Sequence, residues 1–246
     1  MSNGKNIWVS LPNDYRYVNS YSIGMNIPNK YDYPAYRTAE LEYFADINNK
    51  NKGQKSKALG EYGQQIVDQI RYYKSFEVLP DGLWVEDENK LPKPNEYIFQ
   101  ILGGAIILNE ACANILKQFR LGNSTLTPVQ IHKIFSNELW FEETFYFFNL
   151  CELREYVVVP QSHDNFIFSE VGTYPKYSDL NLILDDGMLE IHQSALDCDV
   201  DVWHDRTFRG SFFFSDALHQ VLAEQNMLEQ WNMKSCKLIY SQFKPK

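Results

Sequence analysis

Two stretches of the chain share one pattern. Residues 104–116 read GAIILNEACANIL, and residues 210–222 read GSFFFSDALHQVL. At an offset of 106 positions, three residues are identical: Gly104 with Gly210, Ala111 with Ala217, and Leu116 with Leu222. Each copy has three apolar residues suited to a short strand, then a helix-capping residue followed by an acid. The shared order predicts that each copy forms a strand followed by a helix.

The helical part of each copy carries the same apolar stripe. The capping residues are Asn109 and Ser215, and the stripe positions are Ala111, Cys112, Ile115 and Leu116 in the first copy and Ala217, Leu218, Val221 and Leu222 in the second. Residues at this spacing lie on one face of a helix. We therefore predict that Cys112 and Leu218 are buried at equivalent positions.

Both copies run into a further apolar segment that is suited to a second strand. These segments are residues 128–131 and residues 237–240. The sequence therefore predicts an α+β fold with a mixed sheet and two similar strand–helix–strand units, at about 104–131 and 210–240.

The first 95 residues predict a different organisation. Apolar residues at helical spacing over 59–73 indicate a helix. The segment 48–57, NNKNKGQKSK, has no apolar residue and predicts a flexible basic loop. Three prolines and a glycine in 79–95 predict a connection. We therefore expect a partly helical N-terminal region, residues 1–95, and an α+β domain, residues 96–246, with one continuous domain as the alternative.

The charge of the chain is negative and unevenly spread along the sequence. The net charge is −9, which argues against binding to nucleic acid. Residues 138–205 hold fifteen acids and two bases, whereas the remaining 178 residues hold seventeen acids and twenty-one bases. This distribution favours a positively charged partner, with an ordinary solvated face as the alternative.

The sequence also predicts a cytoplasmic protein without a membrane partner. Residues 1–16 do not resemble a secretory signal, and the longest uncharged apolar run, residues 97–109, is too short to cross a bilayer. The four cysteines are widely spaced and form no C-x-x-C motif, which is typical of reduced cytosolic thiols: Cys112, Cys151, Cys198 and Cys236.

Motifs that carry chemistry are missing from the sequence. It has no glycine-rich phosphate loop, no zinc-protease motif and no nucleophile elbow, and its five histidines lack metal-ligand spacing. Ser215, Asp216 and His219 are close in sequence, but a capping serine beside a helix-face histidine explains them better than a catalytic triad. We expect no enzymatic activity, no cofactor and no resident metal.

The acidic segment 197–205, DCDVDVWHD, offers a candidate site. If this segment is a strand, Cys198, Val200 and Val202 face the core and the alternate residues face outward. The outward residues could form a solvated edge, a protein-binding strip with a tryptophan anchor, or a Mg²⁺ site for phosphoester hydrolysis. Together with the acidic turn before it, the segment gives these predicted partner-binding residues: Asp185, Asp186, Asp197, Asp199, Asp201, Trp203 and Asp205.

The two repeat copies and the segments around them resemble immunity protein family eleven, from bacterial polymorphic-toxin and contact-dependent antagonism systems. The resemblance spans about residues 97–240. It is carried by these segments: 106–116, 127–129, 146–150, 202–205 and 208–218. The chain departs from the family pattern at Asn109, where serine is usual, and at residues 229–231, where a glycine-containing turn is expected.

The resemblance implies a protein that neutralises a cognate bacterial toxin by binding it directly, and it carries over no catalytic residues. The expected partner is a basic toxin domain, with toxins that attack nucleic acids as one class. The alternative function is a metal-dependent phosphoester hydrolase that uses the carboxylates of residues 197–205.

Overall fold

A computed structural model of the chain describes residues 5–11, 18–158, 168–169, 176–177, 185–208 and 210–240. In chain order the strands are β1 (Ile7–Ser10), β2 (Gly24–Asn26), β3 (Gly82–Val85), β4 (Ile98–Gln100), β5 (Ile106–Asn109), β6 (Thr125–Val129), β7 (Ile131–Lys133), β8 (Phe145–Asn149), β9 (Leu153–Arg154), β10 (Phe168–Ser169), β11 (Lys176–Tyr177), β12 (Glu190–His192), β13 (Val202–Asp205), β14 (Phe212–Ser215), β15 (Lys234–Ser235) and β16 (Lys237–Ile239). The α-helices are α1 (Tyr33–Ala45), α2 (Lys50–Arg71), α3 (Glu110–Leu116), α4 (Asp216–Glu224) and α5 (Leu228–Trp231). The predicted α+β class is confirmed. None of the helices in the described ranges is long and apolar enough to cross a membrane.

The chain divides into two compact units, with boundaries that differ from the predicted ones. Unit 1 comprises Met1–Val18, Asn114–Ser124 and Leu150–Lys246, and unit 2 comprises Asn19–Ala113 and Thr125–Asn149. The boundary predicted after residue 95 lies inside unit 2. The reason is that β3, within the supposed connection, pairs with β2 on one side and with β7 on the other.

Unit 2 contains a four-stranded antiparallel sheet and a smaller three-stranded sheet. The strand orders are β4-β5-β8-β6 and β2-β3-β7, and the β3–β7 pair is parallel. The aromatic strand β8 lies in the interior of the larger sheet, and its Phe147 packs in a core with Phe99 and Ile107. Strand β8 is buried on both faces, which explains its continuous aromatic run.

Helices α1 and α2 lie in unit 2 between β2 and β3. Asp32 caps α1 through the backbone N–H of Ala35, and Asn49 caps α2 through that of Lys52. The prediction of a flexible basic loop over 48–57 is therefore wrong from Lys50 onward. Lysine and glutamine are good helix formers, and the asparagine cap starts the helix without help from apolar residues.

Unit 1 contains a five-stranded sheet in the order β15-β1-β14-β13-β9. Two separate pairs accompany it: β12 and β16, which are parallel, and β10 and β11, which are antiparallel. Strand β1 comes from the start of the chain, yet it pairs with β14 on one side and β15 on the other. Its Val9 joins Trp203 and Phe213 in the core of this unit.

The two units repeat the same strand arrangement. The order β4-β5-β8-β6 in unit 2 corresponds to β13-β14-β1-β15 in unit 1, and all of these pairs are antiparallel. The parallel pair β3–β7 corresponds in the same way to the parallel pair β12–β16. The repeat noticed over thirteen residues therefore extends over whole sheets, and β1 occupies in unit 1 the place that β8 occupies in unit 2.

The capping residues of the repeat act as predicted. The side chain of Asn109 accepts a hydrogen bond of 2.9 Å from the backbone N–H of Cys112. Ser215 accepts one of 3.3 Å from that of Leu218. Cys112 and Leu218 are both fully buried, so the two strand–helix–strand units and their equivalent positions are confirmed.

The predicted apolar stripe is wrong at one position in each copy. Ala111 and Ala217 are both exposed. Each follows the first residue of its helix, where the chain has just left the sheet. The buried face begins one residue later in each copy. A small side chain at this position fits either environment, so its apolar character did not indicate burial.

The glycine shared by the copies has a conformational cause. Gly104 and Gly210 have φ angles of 82° and 81°. This left-handed conformation is strained for residues with a Cβ atom, so glycine is favoured at both places. The identity at an offset of 106 therefore marks a turn that both units make before β5 and β14.

The register of the second strand in each copy differs from the predicted one. Tyr146 and Trp8 pair with equivalent residues of β5 and β14. Tyr146 also pairs with Pro128, and Trp8 with Ser235. Pro128 therefore corresponds to Ser235, and not to Lys237 as the sequence alone suggested. The connection after the helix is one residue longer in unit 1, and the apolar residues 237–239 belong to β16, which pairs with β12.

We expect Ile7→Ala to destabilise unit 1 through its central strand. Ile7 is almost fully buried, and truncation of such a residue lowers the free energy of unfolding by about 2–5 kcal/mol. Hydrogen exchange should become faster in β14 and β15, which β1 joins. Denaturant unfolding and hydrogen exchange with mass spectrometry would measure both effects, with exposed Lys5→Ala as the control. Faster exchange confined to β1 itself would contradict this role.

Candidate partner-binding site

The acidic segment 197–205 does not form one strand. Gln193–Asp197 is a 3-10 helix, and β13 begins only at Val202. Cys198, Val200 and Val202 are buried as predicted, and Asp197 and Asp199 are exposed. The predicted outward face is wrong from Asp201 onward, because residues 201–205 are all buried. The predicted partner-binding residues of this segment fall into different environments, and the structure does not bring them together as one strip.

Trp203 is a core residue and not a surface anchor. Its side chain is fully buried. Its ring centroid lies 6.0 Å from that of Tyr156 and 5.9 Å from that of Phe213. Trp203 pairs with Phe213 as Phe99 pairs with Ile107 in unit 2, so it occupies the position of a buried phenylalanine in the other copy.

Asp201 is held inside unit 1 by Arg120. One carboxylate oxygen accepts bonds of 2.9 and 3.0 Å from the backbone N–H and Nε of Arg120, and the other accepts one of 3.1 Å from Nη2. Burial acts to raise the pKa of Asp201, but the bonds from Arg120 outweigh it and the pKa lies below its usual value. Asp201 therefore has a structural role in place of the predicted exposed one.

Asp205 is also internal. It is fully buried, and its carboxyl group accepts backbone hydrogen bonds of 2.6 Å from Tyr156, 2.9 Å from Val157 and 2.8 Å from Thr207. Burial raises its pKa, while the three amide donors act in the opposite direction. The group fixes the segment after β9 against β13, and a partner cannot reach it.

The acids of this segment that remain at the surface are Asp197 and Asp199. The side chain of Asp199 is 77% exposed and forms an ion pair of 2.7 Å with Arg154. Hydrogen bonds from Arg154 lower the pKa of Asp199. Arg154 also contacts the buried carboxylate of Glu152 at 2.7 Å. Asp199 is therefore partly neutralised, and Asp197 is exposed beside it in sequence.

The carboxylates that the hydrolase hypothesis requires are not assembled. Asp199, Asp201 and Asp205 each face a different donor within unit 1. Across the residues that the structure describes, no group of three or more His, Cys, Asp or Glu side chains is placed to hold a metal ion. The strand on which the hypothesis depended is formed only over Val202–Asp205.

The two units have similar net charges, although the acidic residues are concentrated in one segment of the sequence. Unit 1 contains sixteen acidic and twelve basic residues, a net charge of −4, and unit 2 contains sixteen and eleven, a net charge of −5. The reason is that the acidic segment crosses the boundary at residue 150, and unit 1 also contains bases from other segments. Local arrangement, and not net charge, must therefore identify a binding surface.

One such arrangement lies on unit 1, and we call it the Trp8 cluster: Trp8, Asp186, Asp216, His219 and Ser235. The rings of Trp8 and His219 stack with centroids 3.5 Å apart and an angle of 1° between their planes. The indole N–H of Trp8 donates a bond of 2.9 Å to Asp216, in the first turn of α4. Trp8 is half-buried, so its ring is fixed and still partly accessible.

The predicted acidic turn is part of this cluster. Asp186 accepts bonds of 2.7 and 2.9 Å from the backbone N–H and hydroxyl of Ser235, the residue that pairs with Trp8. These bonds lower the pKa of Asp186. Asp185 is exposed next to it, and Gly187 has a φ angle of 75°. The turn is therefore present, whereas residues 180–184 on its other side lie outside the described residues.

His219 lies on α4 and stacks on Trp8. The hydroxyl of Ser215 caps the helix by accepting from Leu218, as predicted. Burial lowers the pKa of His219, although the carboxylates of Asp216 and Asp186 act the other way. At neutral pH the imidazole is therefore uncharged against the indole. The cluster combines a rigid aromatic pair with two carboxylates, which suits recognition better than proton transfer.

No protein-family model matches the chain, and no curated protein matches it either. The resemblance to immunity protein family eleven therefore rests on the motifs quoted above.

We expect Trp203→Ala to lower stability, and not to remove a binding contact. Removing a fully buried indole costs about 3–5 kcal/mol of the free energy of unfolding. Trp203→Phe is the matched control, because phenylalanine stands at the equivalent position of unit 2. Moreover, the indole N–H has no hydrogen-bond partner in the described part of the chain. Denaturant unfolding would test this, and equal stability of the alanine and phenylalanine variants would contradict it.

We also expect the stability of the protein to depend on pH through His204. This residue of β13 is fully buried, and burial lowers its pKa to about 4, although carbonyl groups of Ser211 and Leu150 oppose the shift. When the pH is lowered below 6.5, the unfolded chain takes up a proton that the folded chain does not. The free energy of unfolding therefore decreases as the pH is lowered from 6.5 to about 4.

The expected loss through His204 is about 2 kcal/mol of unfolding free energy between pH 7 and pH 5. His204→Gln should remove this part of the pH dependence, since glutamine does not titrate. Denaturant unfolding of both proteins over this range would measure it. Parallel curves for the wild type and the variant would show that His204 is not the group responsible.

Proposed function

We propose that this chain is an immunity protein that neutralises a cognate bacterial toxin by direct binding in the cytoplasm. The motif resemblance described above supports the family. The four cysteines are all free thiols, which is compatible with a reducing compartment. The confirmed parts of those motifs are strands, caps and helices, which do not by themselves indicate binding. The surface of unit 1 provides the support for a binding role.

The geometry of the Trp8 cluster is the main support for a binding role. Energetically dominant interface residues are commonly tryptophans that are held rigid before the partner arrives. Trp8 meets this description, because His219 fixes its face and Asp216 fixes its N–H. Little conformational entropy would be lost when a partner covers it.

The acids around the cluster define the chemistry of the partner. Asp185 is exposed, Asp216 accepts a bond from the indole N–H, and Asp186 binds Ser235, which pairs with Trp8. Carboxylates at the rim of an interface steer a basic partner and raise its association rate. A toxin domain that binds nucleic acid presents such a basic surface, because it must neutralise phosphates. The proposed partner is therefore a basic toxin domain.

The direct test uses the toxin domain encoded beside this chain. The two purified proteins should form a stable complex in size-exclusion chromatography and calorimetry. Co-expression should restore growth to cells that produce the toxin. If the neighbouring toxin neither binds nor is neutralised, the proposed function is wrong.

We expect Trp8→Ala to weaken toxin binding by about 30- to 1,000-fold, because truncating a tryptophan anchor removes about 2–4 kcal/mol. Trp203→Phe serves as the matched control, since its side chain is buried and should leave affinity unchanged. Calorimetry on folded protein, checked by thermal melting, would measure the difference. Equal affinity of Trp8→Ala and wild type would show that the toxin binds elsewhere.

We expect Asp185→Asn to act mainly on the association rate. Its exposed carboxylate can steer a basic partner without being buried in the interface. The rate constant should fall severalfold at low salt, and the difference should shrink as salt screens the charge. Stopped-flow or biosensor kinetics at two salt concentrations would measure it. A change confined to the dissociation rate would contradict a steering role.

A further inference from the structure

An open cavity of about 300 Å³ lies in unit 2 at one end of the sheet β4-β5-β8-β6. Its walls come from the segment before β4, from the junction of β5 with α3, and from the segment that enters β8. Because β5 is antiparallel to both neighbours, the start of β4, the end of β5 and the start of β8 lie at the same end of the sheet. The cavity is therefore built by the sheet itself.

Negative charge predominates in the lining of this cavity. Three carboxyl groups line it, from Glu96, Glu110 and Glu143, together with one ammonium group, from Lys93. Glu110 and Glu143 are exposed, so their carboxylates are available to a ligand. A site with this lining attracts a cation.

Glu96 is fixed in the cavity wall by its neighbours. It is almost fully buried, and its carboxyl group accepts hydrogen bonds from the side chains of Asn19 and Tyr21 and from the backbone N–H of Lys93. Burial and the bond to Glu96 raise the pKa of Tyr21, so the phenol stays protonated as a donor. The segment before β4 is thereby held in place, and the wall is formed in advance of any ligand.

The remaining lining is apolar and partly aromatic. Phe141 is half-buried and packs against the core of unit 2, and Pro94 lies on the side of the segment before β4. An aromatic ring beside carboxylates suits a cation that carries an aliphatic stem, because the ring attracts the charge and the stem covers apolar surface. A bare metal ion would gain nothing from these apolar walls.

In unit 1 the acid equivalent to Glu110 already has a hydrogen-bond donor. Glu110 corresponds to Asp216, since each follows its helix cap. The carboxylate of Asp216 accepts bonds from the indole N–H of Trp8 and from Gln220. In unit 2 the place of Trp8 is taken by Tyr146, which is buried in β8. In unit 1 the acid at this position, Asp216, is bound by the indole of Trp8, whereas in unit 2 the equivalent acid, Glu110, lines the cavity.

We propose that this cavity binds an organic cation on a short apolar stem, the chemistry of an arginine or lysine side chain. The stem lies against Phe141, and the charged group contacts Glu110 and Glu143. This inference rests on the proposed function in one respect: the cation is assigned to a basic side chain of the toxin. A free amine has the same chemistry and is the other source.

The test begins with a small probe and its neutral counterpart. Butylguanidinium should bind the wild-type chain at least about tenfold more tightly than butylurea, which has the same shape without the charge. Amide chemical shifts in two-dimensional NMR should move at residues 110–111 and 143–145. The double variant Glu110→Gln with Glu143→Gln should bind the probe at least about fivefold more weakly.

A matched control separates local from general charge effects. Glu42→Gln with Glu61→Gln makes the same charge change at exposed positions of α1 and α2 in the same unit, and it should bind the probe like wild type. Thermal melting would verify that both double variants are folded. Equal binding of the two probes, equal binding by both double variants, or shifts outside the cavity would each overturn the site.

The toxin provides a second arm with a distinct outcome. Weaker toxin binding by the Glu110→Gln, Glu143→Gln variant than by the control variant supports the assignment to a toxin side chain. Equal toxin binding by both, with the probe effect intact, overturns that assignment and leaves a site for a free amine. If the toxin does not bind even the wild type, the proposed function fails while the probe result still decides the cavity.

Discussion

The structure of unit 1 depends on the insertion of β1 between β14 and β15. Backbone hydrogen bonds on both sides of this short strand join elements that do not otherwise pair. Without it, the Phe-Phe-Phe run of β14 would end the sheet as an open apolar edge, which is prone to wrong pairing. In unit 2 the same place is taken by β8, which follows β6 and β7 along the chain. One arrangement is thus completed in two ways within a single chain.

The local features of the fold could be predicted from the sequence. Asn109 and Ser215 cap their helices because a short polar side chain meets free backbone N–H groups, and this requires only adjacent residues. The shared glycines follow from a single φ angle. The pairing of β1 could not be predicted, because a strand of four mostly apolar residues is compatible with many partners. The same limit explains the misplaced boundary at residue 95, since contacts across that point are made between distant segments.

The predicted exposure of Asp201, Trp203 and Asp205 is wrong, and the reasons lie in tertiary contacts. The alternating pattern predicts that Asp201 is exposed. In the structure it is bound by Arg120, which lies 81 positions away in the sequence. Trp203 could have been assigned to the core by extending the repeat upstream with a two-residue shift, which aligns it with Phe99. Of the predicted residues, only the acidic turn at 185–186 joins a plausible recognition surface. Trp8, at the centre of that surface, lies in a part of the sequence where no motif was recognised.

The position of β1 also has a consequence for synthesis on the ribosome. Val9 is made 204 residues before its partner Phe213, so this strand must wait, unpaired, until that residue has been made. Contacts of such long sequence separation form late. Unit 2, whose strands lie within residues 19–149, can close earlier. Because Trp8 lies on β1 and the rest of its cluster lies beyond residue 185, a nascent or truncated chain cannot display that surface. Any binding that depends on this surface would begin only after residue 235 has been made.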